Sequence, residues 1–214
     1  MVNEKKEVYV FDLDGTLVDS MPYFTKGMLS IPDEEGIPYG DELIKILTPL
    51  GYTKSAEYYV REMGIRDSVE HIVERITEKL VFEYSNNIRL KAGVGNYLRR
   101  LHAEGARLFV LTASPHVVTD VCLQKNGVYD LFECVWSVED FSLSKSDTRI
   151  FFEVARRIGC ETGEVHYFDD SLIALENAGK AGYDTYGVVD AHTDGELARM
   201  KTLTRHFVPS FEGL

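Results

Sequence analysis

The stretch Val8-Tyr9-Val10-Phe11-Asp12-Leu13-Asp14-Gly15-Thr16-Leu17-Val18-Asp19-Ser20 decides how the chain is read. Its first four residues are apolar or aromatic and rich in strand formers, the pattern of a strand covered on both faces. The pattern stops at Asp12, which puts that carboxylate at the carboxyl edge of the expected sheet, where open α/β sheets bind ligands. Asp12 and Asp14 stand two apart, so along a continued strand both side chains point the same way and two negative charges crowd together. Such crowding calls for a cation or a shared proton. Three readings meet the pattern: a divalent-metal site, a pair dividing nucleophile and acid roles, or a plain Asp-Gly turn. Leu13 between the acids and the Thr16 hydroxyl after Gly15 weigh against the plain turn, because they add buried packing and a further oxygen.

After this stretch, residues 20–88 contain no strand-like run, and helical spacing recurs over Glu42 to Leu50, Ser55 to Met63 and Ser68 to Tyr84. Leu43, Ile44, Ile46, Leu47 and Leu50 form one apolar stripe, and Ile72, Ile76, Leu80 and Tyr84 another. Loops are expected at Ile31-Pro32-Asp33-Glu34-Glu35-Gly36 and at Pro49-Leu50-Gly51. The segment reads as an all-helical insertion. Tyr52, Thr53, Lys54, Tyr58 and Tyr59 are candidates to touch a substrate, but amphipathic packing of Tyr58 and Tyr59 and solvation of Lys54 explain them as well.

From Gly93 onward strands and helices alternate, as in a parallel α/β sheet. A helix over Val94 to Ala103 precedes a strand over Arg107 to Leu111, and Thr112-Ala113-Ser114-Pro115 follows. A hydroxyl residue ending a buried strand before a helix start offers an O–H and backbone N–H groups to a phosphate. Leu131 to Ser137 suggests another strand, and Lys145 stands just before the helical pattern Ile150, Val154, Ile158. Taken alone, Lys145 reads as a solvated lysine. The strand Val165-His166-Tyr167-Phe168 then runs into Asp169-Asp170-Ser171 and a helix over Ile173 to Lys180. Two carboxylates at a second strand terminus would complete an oxygen cage for a hard cation such as Mg2+, and they also suit a helix N-cap. Thr185 to Val189 reads as a strand, His192 to Met200 as a surface helix and Phe207-Val208 as an edge strand.

The chain has 214 residues, 44% hydrophobic and 27% charged, enough for a core domain and a smaller inserted one. Its net charge of −12 opposes binding to nucleic acid or an anionic membrane, so an anionic substrate needs a locally positive site. The opening Met1-Val2-Asn3-Glu4-Lys5-Lys6-Glu7 fits neither a signal peptide nor a membrane span, and a cytoplasmic protein is expected. Cys122, Cys134 and Cys160 are odd in number and lack CxxC spacing, which points to buried reduced thiols. The six histidines lack HExxH spacing and read as structural or surface residues.

Asp12-Leu13-Asp14-Gly15-Thr16-Leu17-Val18-Asp19 resembles the first motif, DxDGTxxD, of the haloacid dehalogenase superfamily of phosphohydrolases. The resemblance continues in order along nearly the whole chain, with Thr112 in the second motif, Lys145 in the third and Asp169-Asp170 in the fourth, paired-acid form. It implies a Rossmann-like parallel α/β core over 1–19 and 89–214 and a helical cap over 20–88. An insert placed there is similar to the first-position cap of subfamily I, the group containing phosphoglycolate phosphatase and β-phosphoglucomutase. A cap closing over the site would exclude water. One departure is visible: the family's lysine is often followed by proline, whereas Ser146-Asp147 follows Lys145.

By this resemblance Asp12 is the nucleophile and Asp14 the general acid and base. Thr112 and the Ala113 amide grip the phosphoryl oxygens, and Lys145 offsets the charge of nucleophile and phosphate. Mg2+ is held by Asp12, Asp14 and Asp170, with Asp169 a ligand directly or through water. The expected activity is Mg2+-dependent hydrolysis of a small phosphate monoester through an aspartyl phosphate, by a monomer acting on a phosphorylated metabolite. The halide-removing members lack the second aspartate, so Asp14 favours phosphoryl chemistry. A β-phosphoglucomutase-like phosphoryl transferase and a non-catalytic phosphate-binding regulator are the alternatives.

Overall fold

A computed structural model of the chain describes residues 6–47 and 50–214; most of the charged opening and Pro49, expected in a loop, lie outside the described residues. The strands are β1 (Val8–Phe11), β2 (Arg107–Thr112), β3 (Cys134–Ser137), β4 (Val165–Asp169), β5 (Asp184–Val188) and β6 (His206–Val208). The helices are α1 (Met21–Glu34), α2 (Leu43–Leu47), α3 (Gly51–Arg61), α4 (Val69–Asn86), α5 (Val94–Ala103), α6 (His116–Lys125), α7 (Arg149–Ile158), α8 (Leu172–Ala181) and α9 (Leu197–Leu203). The chain divides into two compact units, Met1–Asp19 with Arg89–Leu214, and Ser20–Ile88.

The first unit is built on a six-stranded sheet of order β3-β2-β1-β4-β5-β6, parallel throughout. Alternation along β1 sends Val8 and Val10 to a face covered by Ile150, Phe151 and Val154 of α7 and Leu175 and Ala178 of α8. Tyr9 and Phe11 go to the opposite face, where Phe11 and Phe168 rings lie 4.8 Å apart and Phe168 stacks on Tyr186 at 4.2 Å. Burial on both faces is why β1 carries no polar residue. The strand order runs outward from β1 through β2 and β3, then restarts on its other side at β4, so β1 and β4 flank the switch point where such sheets open a ligand crevice.

The second unit is helical. Ile72, Ile76, Leu80 and Tyr84 of α4 are buried as their spacing predicts, whereas Ile46 of the other stripe is exposed beside buried Leu43 and Leu47. The loop expected from Ile31 is a correction, because α1 continues to Glu34 with Pro32 inside it. Proline brings no N–H to the carbonyl four residues back. That carbonyl, of Met28, instead accepts a hydrogen bond from Tyr59 Oη at 2.7 Å.

Three smaller corrections concern the first unit. Leu131, expected in a strand, belongs to a 3-10 turn over Tyr129–Leu131, and β3 begins at Cys134. The helix expected from His192 begins at Leu197, after a 3-10 segment, and is not purely superficial: Met200 is buried against Gly187 of β5, where a Cβ would stand 2.5 Å from the methionine Cγ. Of the cysteines only Cys122 is fully buried.

Candidate active site

Parallel strands end at one level, so neighbouring strand termini bring side chains together that are distant in sequence. Phe11 is in register with Phe168, and the Asp12 N–H donates to the Phe168 carbonyl at 2.8 Å, which sets Asp12 beside Asp169 at the end of β4. Asp170 follows, just before α8, and the Ser171 N–H donates to Asp169 Oδ1 at 2.7 Å. Carboxylate oxygens of Asp12, Asp169 and Asp170 lie within 4.8 Å of one another, the one acid, histidine or cysteine cluster of this kind among the described residues.

Lys145 reaches into this cluster from the loop before α7. Its Nζ donates to Asp12 Oδ1 at 2.5 Å and to Asp169 Oδ2 at 2.8 Å. Its side chain is only 12% exposed, so the solvated reading open to a lone lysine does not describe it. Burial disfavours the ammonium, but Asp12 and Asp169 outweigh it and hold the lysine above its ordinary pKa. Burial pushes the Asp12 carboxyl well above the usual range; Lys145 pulls it back, and Asp169, Asp170 and Asp14 push it up again. Burial, followed by the Asp169 charge, likewise pushes Asp170 up to about 8. Lys145 pairs with two of the three carboxyls, and Asp170, which it does not contact, is lowered only partly by the charges of Lys145 and Lys91.

Asp14 stands apart from the trio. The strand ends at Phe11 and the chain turns at once, with the Thr16, Leu17 and Val18 N–H groups all directed at the Leu13 carbonyl at 2.9–3.3 Å. The same-side argument for residues two apart holds only along a strand; the carboxylate of Asp14 lies outside the trio and accepts from Ser114 Oγ at 2.6 Å. Thr16, expected to add an oxygen ligand, is fully buried and its hydroxyl meets no hydrogen-bond partner among the described residues. Thr112 ends β2 in a buried position, its Oγ1 accepting from the Ser114 N–H at 3.0 Å, and Ala113 beside it is exposed.

Four residues of this edge were missed in the sequence. Ser114 reads there as a helix start, yet it orients Asp14. Tyr167 reads as strand core, yet its hydroxyl donates to Asp169 Oδ2. Lys91 and Asp190 pair beside the Gly15 carbonyl, and neither stands in a motif.

Comparison with known proteins agrees with this architecture. The chain is 24% identical over 191 residues to the phosphorylated carbohydrates phosphatase of Thermotoga maritima, covering 89% of this chain and 88% of that protein. It is 27% identical over 200 residues to the phosphoglycolate phosphatase of Haemophilus influenzae, covering 87% and 88% respectively. The fold is similar to that of CbbY from Rhodobacter sphaeroides, crystallised with phosphate, at a TM-score of 0.84 and 19% identity over 98% of this chain and 96% of that one. The family model for haloacid dehalogenase-like hydrolases matches residues 9–188. The chain therefore belongs to the haloacid dehalogenase-like hydrolase family.

Proposed function

We propose that this hydrolase is a Mg2+-dependent phosphatase that cleaves a small phosphate monoester, with Asp12 as nucleophile and Asp14 as acid and base. The observation that carries the reading is the Lys145 ammonium bridging Asp12 and Asp169 while Asp170 closes the acid trio. The donor set fits a hard divalent cation: every candidate ligand is a carboxylate oxygen, and ionising all three acids would bury more negative charge than Lys145 offsets. Asp12 and Asp170 would hold the ion, with Asp169 behind them already accepting from Lys145, Tyr167 and the Ser171 N–H. Bound there, Mg2+ supplies the positive charge that lets a carboxylate approach a dianionic ester.

The chain's own groups then divide the work. An Asp12 oxygen attacks phosphorus as the bond to the ester oxygen breaks, and protonated Asp14 gives its proton to the departing alkoxide, which leaves as the alcohol. Water next attacks the phosphorus of the aspartyl phosphate, passing a proton to Asp14; the bond to Asp12 breaks and inorganic phosphate leaves. Ser114 keeps Asp14 oriented. Lys145 neutralises charge beside Asp12, and the Thr112 hydroxyl with the Ala113 N–H receives the phosphoryl oxygens. The names of the two phosphatase relatives support a phosphorylated small metabolite as substrate.

The test is phosphate release from a panel of phosphate monoesters with Mg2+, using wild type and Asp12→Asn. Wild-type turnover that falls at least about a thousandfold in the variant is expected. Equal release from both removes Asp12 as nucleophile, and sugar-phosphate isomerisation without net release would make the protein a mutase.

A further inference from the structure

Beside the acid cluster a second lysine is held in a socket of oxygens. Lys91 lies just after the chain returns to the first unit at Arg89. Its Nζ donates to the Gly15 carbonyl, donates to the Val189 carbonyl at 3.0 Å and pairs with Asp190 Oδ2 at 2.7 Å. Its side chain is 17% exposed and that of Asp190 is 3% exposed. All three donors of the ammonium therefore have an acceptor, two of them main-chain carbonyls. The Lys91 N–H also donates to the Leu17 carbonyl at 2.9 Å, so one residue grips the turn after Asp14 at two points.

What that turn touches gives the grip its consequence. Gly15 has φ +78°, and a Cβ on it would stand 2.4 Å from Asp170 Oδ2. The Gly15 peptide is thus confined between the Lys91 ammonium on its carbonyl and the Asp170 carboxylate against its Cα. Asp14 is joined to it directly. The geometry points to Lys91, with Asp190 as counter-ion, as a positioning residue that fixes the Gly15 peptide and so sets where the carboxylates of Asp14 and Asp170 stand. Its effect on turnover rests on the phosphatase reading; its effect on the acid cluster does not.

A pair that serves stability alone can be removed as a pair, since a buried ion pair is replaceable by neutral groups of similar volume. Wild type, Lys91→Met and Lys91→Met/Asp190→Asn are compared by thermal unfolding, by steady-state hydrolysis of p-nitrophenyl phosphate with Mg2+, and by calorimetric titration with Mg2+. The double variant is expected to stay folded, to lose about tenfold to a hundredfold in kcat with little change in KM, and to bind Mg2+ about tenfold more weakly. A folded double variant within about twofold of wild type in both kcat and Mg2+ affinity overturns the assignment. Should it not fold, Lys91→Ala with added n-propylammonium replaces it: recovery of kcat by that cation and not by tetramethylammonium, which has no N–H, supports the clamp, and no recovery removes it. Wild type that releases no phosphate, while Mg2+ affinity still drops in the variant, would end the phosphatase reading and leave the clamp standing.

Discussion

Ser114 shows how a single hydroxyl can govern an acid that lies a hundred positions away. Its Oγ donates to Asp14 Oδ2 at 2.6 Å, while its N–H is tied to Thr112 Oγ1 at 3.0 Å, so the serine is itself held by the strand end it follows. Ser114→Ala removes the donor and leaves the backbone contact. A hydrogen bond of this kind is worth about 0.5–1.5 kcal/mol, so kcat for a phosphate monoester is expected to fall by roughly threefold to tenfold with KM unchanged. Steady-state kinetics at saturating Mg2+ reads this, and an unaltered kcat would mean that other neighbours orient Asp14. Asp12, Asp14 and Asp170 stand out in the sequence as acids at strand ends, whereas Lys145 does so only through the family resemblance. Ser114 is not legible there, because the serine of a Ser-Pro helix start has a common structural use.

At the level of the element, α1 illustrates how tertiary contact overrides a local rule. Pro32 ordinarily marks a boundary, and the sequence reading placed a loop there. The helix persists because the carbonyl that proline leaves without a donor, that of Met28, is satisfied by Tyr59 Oη from α3. Tyr59→Phe would strand that buried carbonyl and is expected to cost about 1–3 kcal/mol in denaturant unfolding. Pro32→Ala in the same background returns an N–H at the right place and should recover part of the loss; a cycle without coupling would show that the two sites act independently. The packing role given to Tyr59 in the sequence holds, and its hydroxyl adds a function that spacing cannot reveal.

For the whole molecule, the acid cluster links stability to pH and, through the proposed Mg2+ site, to metal. The folded-state pKa of Asp170 is about 8 against an ordinary value of 3.8, so between those limits the folded protein binds a proton that the unfolded chain has released. Stability of the metal-free protein is therefore expected to decline as pH rises through this window, and the raised Asp12 carboxyl adds in the same direction. A cation bound to the ionised carboxylates reverses the trend, so the rise in unfolding temperature on adding Mg2+ should be larger near pH 8 than near pH 5. Differential scanning calorimetry across that range checks it, and a Mg2+ effect independent of pH would separate ion binding from these carboxylates. Among the described residues no helix is long and apolar enough to cross a membrane.

The amino-acid sequence alone determined the parallel α/β core, the helical insert over 20–88 and the acids at the strand ends, since a strand's burial and a strand-end carboxylate are both written in local pattern, while Lys145 came only through the resemblance. Tertiary structure decided the rest. It left Asp14 outside the acid trio and hydrogen-bonded to Ser114, because the chain leaves the strand at Phe11, and it carried α1 through Pro32. It also brought Lys91, paired with Asp190, against the Gly15 peptide from positions far apart in the chain. Contacts of this kind arise from how strand ends and loops are stacked by the sheet, and no local periodicity records which side chains that stacking will bring together.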